Sequence, residues 1–344
     1  MSSIDTKKIP FTKNDFVSGQ EIRWCPGCGD YAILATMQRT LAKFDIKREN
    51  HVFISGIGCS SRFPYYMNTY GFHTVHGRAP TIASGLRCVN PDLSIWVITG
   101  DGDGLSIGGN HLLHCMRRNM NLNILLVNNR TYGLTKGQYS PTSEMGKVTK
   151  SSPMGSIDHP INALCVALAS EATFVARTLD NDPIHMSETF KRAMDHKGTS
   201  FVEVYQNCNI FNDKAFVPVT GRDNRDDRMI YLEDGKPLIY GKEKNRGIRL
   251  VGMKPEIVDI DNQELDQLPV ILMSHNEKTA DPSYAYMLTQ MDHPEMPVPF
   301  GVFRALERPT YDDLLNGQVK TAIKKLGPGD LKKLIHGDNT WTVN

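Results

Sequence analysis

Three things are scarce in this chain. No apolar run is long enough to cross a membrane, and the opening arm, Met1 to Phe16, is polar, mixed in charge and without the apolar core of a secretory signal. Charge imbalance is nearly absent: 39 Lys and Arg face 38 Asp and Glu, a net charge of +1, so no bulk electrostatic pull toward nucleic acid or a lipid surface is expected. Internal repeats and low-complexity tracts are missing as well. These absences point to a cytoplasmic globular protein, with neither nucleic acid nor membrane among its partners. With 344 residues, 40% apolar and 22% charged, the chain can fill one large core or two ordinary ones.

The most informative features are two short motifs set one βαβ unit apart. Gly100-Asp101-Gly102 follows the apolar run Ser94 to Thr99, and Asn128-Asn129 follows a second run, Leu122 to Val127. The segment between, Ile107 to Asn119, has helical character. Two β-branched runs joined by a helix read as parallel strands with a crossover. Both motifs then lie just past strand carboxyl ends, where open parallel sheets bind ligands. Together they offer a carboxylate and an amide oxygen flanked by glycine, a donor set suited to Mg²⁺ that also holds phosphate. The alternative is a buried turn Asp and an Asn pair in a loop. The GDG triplet, the spacer of 25 residues and the Asn pair resemble the thiamine diphosphate fingerprint. By that resemblance Asp101, Asn129 and the backbone carbonyl of Thr131 hold Mg²⁺ against the diphosphate.

Seven cysteines in a cytosolic chain are not expected to form disulfides. Cys88, Cys115 and Cys165 sit among apolar neighbours in regular segments and read as core. Cys25, Cys28, Cys59 and Cys208 sit in loops. Trp24-Cys25-Pro26-Gly27-Cys28-Gly29 is a CxxC ahead of a helix whose apolar stripe is Ile33, Leu34, Met37, Leu41 and Phe44. Cys59 follows the run Val52 to Ser55 and a Gly-Ile-Gly turn. Cys208 follows Phe201 to Tyr205. If the strands are parallel, all four share the rim that carries Asp101 and Asn129. Four converging cysteines suit structural Zn²⁺ or an iron–sulfur cluster. A zinc ribbon usually carries two CxxC knuckles, so one CxxC with two distant cysteines favours the cluster.

The combination resembles the β subunits of the 2-oxoacid:ferredoxin oxidoreductases. Over residues 17 to 215 the marks occur in the family's order: the CxxC segment, Gly56-Ile57-Gly58-Cys59-Ser60, His76-Gly77-Arg78-Ala79, Gly100-Asp101-Gly102-Asp103, and Asn128-Asn129 through Thr131, Tyr132, Gly133, Leu134, Thr135 to Gln138. The resemblance implies thiamine diphosphate, Mg²⁺ and one 4Fe–4S cluster on Cys25, Cys28, Cys59 and Cys208. It implies cofactor contacts from Ile57, Gly58, Cys59, Ser60, His76, Gly77, Arg78, Gly100, Asp101, Gly102, Asp103, Asn129, Thr131, Tyr132, Gly133, Leu134 and Thr135. Asp103 has a second reading as a helix cap. Arg62 and Leu134 are assigned to the substrate side. An Arg can grip a carboxylate with both arms, although Arg62 also reads as a surface residue.

The implied reaction is CoA-dependent oxidative decarboxylation of a 2-oxoacid, electrons leaving through the cluster to ferredoxin. The reverse direction fixes CO₂ onto an acyl-CoA, as a reductive TCA cycle requires. Overall likeness and the long C-terminal tail favour 2-oxoglutarate and succinyl-CoA over pyruvate or branched-chain 2-oxoacids. A non-redox thiamine decarboxylase or synthase half with structural zinc belongs to another class. The sequence shows no second α/β domain bearing the glutamate that contacts the aminopyrimidine ring. The resemblance places that domain on an α subunit, giving an αβ or (αβ)₂ enzyme inactive without it.

The remainder refines the outline. Residues 138–160 are rich in Ser, Pro, Thr and Gly and read as a long loop, covering the site, meeting another subunit or simply connecting. Helix is expected over Ile161 to Ser170 and Ile184 to His196, strand over Ala172 to Ala176, and Phe201 to Tyr205 closes the sheet. The fold expected is a doubly wound, mostly parallel α/β sheet of the thiamine diphosphate-binding type with an irregular C-terminal extension. Its division is an arm over 1–16, a cofactor and iron–sulfur domain over 17–215, and an extension over 216–344 packing on the core and the partner. Tyr231 to Tyr240 looks like a hairpin around Asp234-Gly235, and Met296 to Arg304 is Pro-rich and extended.

Overall fold

Apolar β-branched runs with no polar alternation need cover on both faces, and the central strands of this chain have it. The computed structural model describes residues 11–260 and 271–343, so residues 1–10 of the expected arm lie outside the described residues. The strands are β1 (His51–Ser55), β2 (Tyr70–His73), β3 (Ser94–Gly100), β4 (Leu122–Asn128), β5 (Phe174–Leu179), β6 (Thr199–Tyr205), β7 (Met229–Leu232), β8 (Ile239–Tyr240), β9 (Arg246–Val251), β10 (Lys254–Asp259) and β11 (Val298–Ala305). The helices are α1 (Asp30–Leu41), α2 (Phe63–Tyr66), α3 (Ala79–Val89), α4 (Gly109–Arg117), α5 (Ala163–Ala169), α6 (Pro183–Asp195), α7 (Val217–Thr220), α8 (Arg225–Arg228), α9 (Ser283–Thr289), α10 (Tyr311–Leu326) and α11 (Leu331–His336).

One sheet runs in the order β2-β1-β3-β4-β6-β5-β11-β7. Its pairings are parallel except β11 against β5. Period-two alternation splits its side chains between two cores. Phe53, Trp96, Ile98, Leu125, Val127 and Val202 join Ile33, Met37 and Phe190 under α1 and α6. Val52, Val97, Ile124, Leu126 and Phe201 join Ala83, Leu112, Met116 and Leu164 under α3, α4 and α5. Helix starts follow their capping residues: the Asn162 side chain accepts from the Leu164 and Cys165 amides, and Asp182, ahead of Pro183, accepts from the His185 amide.

The doubly wound, mostly parallel α/β sheet expected from sequence is the architecture found. Three local expectations change. Phe201 to Tyr205 does not close the sheet; β6 lies inside it, between β4 and β5. The Pro-rich stretch 296–304 is largely β11, buried along most of its length because β5 and β7 cover both edges. The expected hairpin over 231–240 has its turn, with Gly235 at φ +76° and the Lys236 amide bonded to the Glu233 carbonyl. Its arms part, however: β7 pairs with β11, and β8 with β9 in a separate three-stranded antiparallel sheet. Of the cysteines read as core, Cys115 is buried, while Cys88 and Cys165 are half-buried.

Burial acts strongly on two histidines of this frame, His51 fully buried and His196 partly so. Burial pulls His51, at the start of β1, down to about 4 and His196, after α6, also to about 4. Both are neutral in the folded protein near neutral pH, whereas in the unfolded chain they take up protons around pH 6.5. Their contribution to stability is therefore complete above about pH 6.5 and drains away as pH falls toward 4. The melting temperature should drop over that window, less steeply in His196→Gln. An unchanged slope in that variant would remove His196 from the effect.

Candidate cofactor and cluster site

The ends of β1, β3, β4 and β6 share one rim, and a single carboxylate knits their loops together. Asp103 is buried. Its Oδ1 accepts the Ile57 amide at 3.1 Å, the Gly77 amide at 2.7 Å and His76 Nδ1 at 2.5 Å. Its Oδ2 accepts the Thr99 hydroxyl at 2.7 Å. All of these partners lie outside the helix that follows, so Asp103 ties loops together and does not cap that helix. Gly56 is required by the close approach, since a Cβ there would sit 2.0 Å from Asp103 Oδ2. The chain leaves Asp103 through a π-helical turn, Asp103–Ile107, in which the Gly108 amide reaches back five residues to the Asp103 carbonyl at 3.1 Å. The helix expected from Ile107 therefore begins properly at Gly109.

Asp101 is also buried. Its Oδ2 accepts hydroxyl hydrogen bonds from Ser140 at 2.5 Å and Thr142 at 2.6 Å. Burial raises its pKa, and these two bonds oppose the rise. The loop of residues 138–160 thus reaches the rim through two hydroxyls that the sequence reading missed. Asn129 Oδ1 accepts the Thr131 amide at 3.1 Å, and Tyr132 Oη donates to the Gly102 carbonyl at 3.2 Å, joining the GDG turn to the Asn loop. Thr131 is buried.

The four loop cysteines approach the same place. Trp24, packed against Tyr31 and Tyr66, donates its indole N–H to the Cys59 carbonyl at 2.7 Å. The Gly29 amide donates to the Asn207 carbonyl at 3.2 Å, and Asn209 Nδ2 to the Pro26 carbonyl at 2.7 Å. A Cβ on Gly133 would lie 3.4 Å from Cys59 Sγ and 3.6 Å from Cys208 Sγ. Burial, then the Asp30 carboxylate, then Cys208 and Cys59 push the Cys28 thiol far up. Burial, then Asp30, Cys208 and Cys25 push Cys59 up to about 12. The thiols are therefore close enough to sense one another. Asn212 links them to the Asn loop: its amide N–H bonds the Cys208 carbonyl at 3.0 Å, and its Nδ2 donates to the Asn129 carbonyl at 2.9 Å. Among the described residues no three His, Cys, Asp or Glu side chains gather as a site for one metal ion.

The other expected residues scatter along the rim. Gly58 has φ +137°, and Ser60 and Gly77 are buried. Arg62, half-buried, donates through Nε to Tyr66 Oη at 3.0 Å. Arg78, Leu134 and Thr135 are exposed. Gly100 closes β3. Signals for the missed residues exist only in part: Ser140 and Thr142 are two hydroxyls two apart in a Ser/Thr-rich loop, with nothing to single them out.

Comparison with known proteins bears on this geometry. Residues 56–204 match the family model described as thiamine pyrophosphate enzyme, C-terminal TPP binding domain. The chain is 49% identical to the 2-oxoglutarate oxidoreductase subunit KorB of Mycobacterium tuberculosis, over 100% of this chain and 91% of that protein. It is 35% identical to the 2-oxoglutarate synthase subunit KorB of Methanocaldococcus jannaschii, over 70% of this chain and 88% of that one. A solved structure of the 2-oxoglutarate:ferredoxin oxidoreductase from Magnetococcus marinus, with 2-oxoglutarate, coenzyme A and succinyl-CoA bound, superposes with a TM-score of 0.74 at 31% identity, covering 97% of this chain and 98% of that one.

The Asp103 tie is testable by stability. Asp103→Ala strands several buried donors and should lower the unfolding free energy by roughly 3 kcal/mol. Asp103→Asn keeps an acceptor in the Oδ1 position, and the Thr99 hydroxyl can turn to face the new amide, so its loss should be under half as large. Equal losses in denaturant titrations would show that charge, and not acceptor geometry, is what matters.

Proposed function

The chain belongs to the β subunits of the 2-oxoacid:ferredoxin oxidoreductases, and from that premise we propose that it serves, with an α subunit, in the CoA-dependent oxidative decarboxylation of 2-oxoglutarate to succinyl-CoA and CO₂, or the reverse. The observation that carries the proposal is the meeting of the two motifs. Gly133, four residues beyond Asn129, leaves open the space between the thiols of Cys59 and Cys208, and Asn212 ties the Cys208 loop to the Asn129 loop.

The donor sets fit the groups assigned to them. Asp101, Asn129 and the Thr131 carbonyl supply few, hard oxygen ligands, which suits Mg²⁺ that keeps phosphate oxygens in its shell. Cys25, Cys28, Cys59 and Cys208 are four soft sulfur donors from three separate loops, a donor set that suits a 4Fe–4S cluster. Burial keeps the Cys28 and Cys59 thiols protonated near neutral pH, so a cationic centre is what would draw out their thiolates. Thiamine diphosphate held at this rim would supply carbanion chemistry toward a 2-oxoacid carbonyl, and a cluster held by Cys25, Cys28, Cys59 and Cys208 would supply single-electron transfer toward ferredoxin.

This chain's own residues hold and screen. Asp103 fixes the loops bearing Ile57, His76 and Gly77 around the cofactor position. Its bond to His76 Nδ1 leaves Nε2 of that ring available to the rim. Tyr132 and Asn129 hold the turn that presents the Thr131 carbonyl. Arg62, three residues after Cys59 and bonded through Nε to Tyr66, would meet a substrate carboxylate with its remaining N–H groups, with Leu134 as an apolar wall. Residues 17–215 would hold the cofactors, on a sheet that β7 and β11 of the later chain complete, and other parts of that chain would meet the partner. Leu134, Met154 and Ile157, with 50%, 95% and 87% exposure, are large apolar groups left bare around the site. They suit an α subunit carrying the aminopyrimidine-binding domain, in αβ or (αβ)₂ form. Among the described residues no helix is long and apolar enough to cross a membrane, consistent with work in the cytoplasm beside ferredoxin and CoA.

Anaerobic iron, sulfide and zinc analysis tests the cluster: about four irons with sulfide are expected, whereas stoichiometric zinc without iron would overturn the redox assignment. Cys59→Ser and Cys208→Ser should each lose the iron–sulfur absorbance. In the assembled enzyme Asp101→Ala should release thiamine diphosphate on gel filtration and leave the cluster in place; full cofactor retention would refute the Mg²⁺ assignment. Arg62→Leu should raise KM for 2-oxoglutarate more than for pyruvate, and equal effects would remove Arg62 from substrate choice.

A further inference from the structure

Behind the cation loop runs a buried polar chain that none of these roles uses. Arg177 on β5 and Glu203 on β6 are cross-strand partners, with side chains 5% and 2% exposed. Arg177 Nε donates to Glu203 Oε2 at 2.7 Å. The second oxygen, Oε1, accepts from Asn128 Nδ2 at 2.7 Å. Asn128 Oδ1 in turn accepts the Arg130 amide at 3.2 Å and the Thr142 hydroxyl at 2.9 Å. The same Thr142 oxygen lies 2.6 Å from Asp101 Oδ2.

The chain has a fixed polarity. A guanidinium only donates and a carboxylate only accepts, so the order of donors and acceptors is set at the Arg177 end. Glu203 must receive from Asn128, which turns the Asn128 carbonyl toward Arg130 and Thr142. An amide side chain is nearly isosteric with its own flipped form, so nothing in its shape selects this orientation. Flipped, its NH₂ would face the Arg130 N–H. That bond matters because Arg130 is a non-glycine residue at φ +55°, a strained conformation that persists only when held. Arg130 lies between Asn129 and Thr131. Thr142 has one hydroxyl hydrogen and two acceptors: Asp101 when the carboxylate is bare, Asn128 when a cation sits on Asp101. The segment 140–143 therefore stays attached in either state.

We infer that Glu203 is a positioning residue for the cation site: by orienting the Asn128 amide it holds the turn that presents Asn129 and the Thr131 carbonyl. The inference rests on the assignment of Asp101, Asn129 and Thr131 to the cation.

The test uses the assembled α–β enzyme, titrated with Mn²⁺ in the presence of thiamine diphosphate and read by Mn²⁺ EPR, with iron–sulfur absorbance as the check on assembly. Glu203→Gln offers one acceptor to two donors and should weaken Mn²⁺ binding about tenfold at unchanged absorbance. Asn128→Asp sets two carboxylates against each other and should weaken it similarly. The double variant restores every donor to an acceptor. The amide introduced at position 203 accepts from Arg177 and donates to the carboxylate introduced at position 128, whose other oxygen accepts from Arg130 and Thr142. Total charge is unchanged. Its affinity should return to within about threefold of the wild type, a coupling that volume alone would not produce. Wild-type affinity in Glu203→Gln, a double variant as weak as the single ones, or a double variant that fails to assemble would overturn the inference. A wild-type enzyme giving no Mn²⁺ signal with thiamine diphosphate would overturn the cation assignment itself and leave Glu203 no such role.

Discussion

The rim depends first on the burial of one negative charge. A carboxylate removed from water must be met by donors, and Asp103 takes its donors from two segments remote in sequence, the turn after β1 and the His76-Gly77 loop, and from Thr99 nearby on β3. None of these turns has a reason of its own to lie where it does. Satisfying the carboxylate places all of them at once, and only a glycine at position 56 lets the first come near enough. The π-helical turn that follows moves α4 off the register a plain helix would give it.

A second layer of polar contacts joins what Asp103 does not reach. Thr142 and Ser140 fasten the long loop to Asp101, Tyr132 fastens the Asn loop to the GDG turn, and Asn212 fastens the Cys208 segment to Asn129. Cys28 and Cys59 pack on the face cored by Phe53, Trp96 and Ile33, while Arg177 and Glu203, each two residues beyond Val175 and Phe201, share the other face with them. The rim is thus braced from both sides of the sheet.

How much of this was readable in the sequence follows from what kind of interaction decided each element. The β3–helix–β4 unit was legible because continuous apolar runs and glycine turns are local signals, and the rim position of Cys59 and Cys208 was legible because each follows such a run. The joining of β11 to β5 was not: its prolines argue locally against a strand, and only neighbouring strands make it one. The split of the expected hairpin has the same origin, since turn chemistry fixes the bend but tertiary partners choose the edges. Ser140 and Thr142 were lost among other hydroxyls. Glu203 and Arg177 had a signal that went unused. A charge inside a run such as Phe201-Val202-Glu203-Val204 must be either a solvent-facing residue or half of a buried pair, and a strand closed on both faces leaves only the second.

The order of the strands has a consequence for how the molecule is made. Cys25, Cys28 and Cys59 leave the ribosome early, but Cys208 follows β6, which slots between β4 and the earlier-made β5. A growing chain therefore holds three thiols of the set for some 150 residues of synthesis, with no sheet to bring the fourth beside them. Such long-range closure is slow, and during that interval the exposed cysteines are open to oxidation or stray metals. β11 and β7 then cover the edge that β5 would otherwise expose. The C-terminal strands act late, closing the sheet edge after the four cysteines have all been translated.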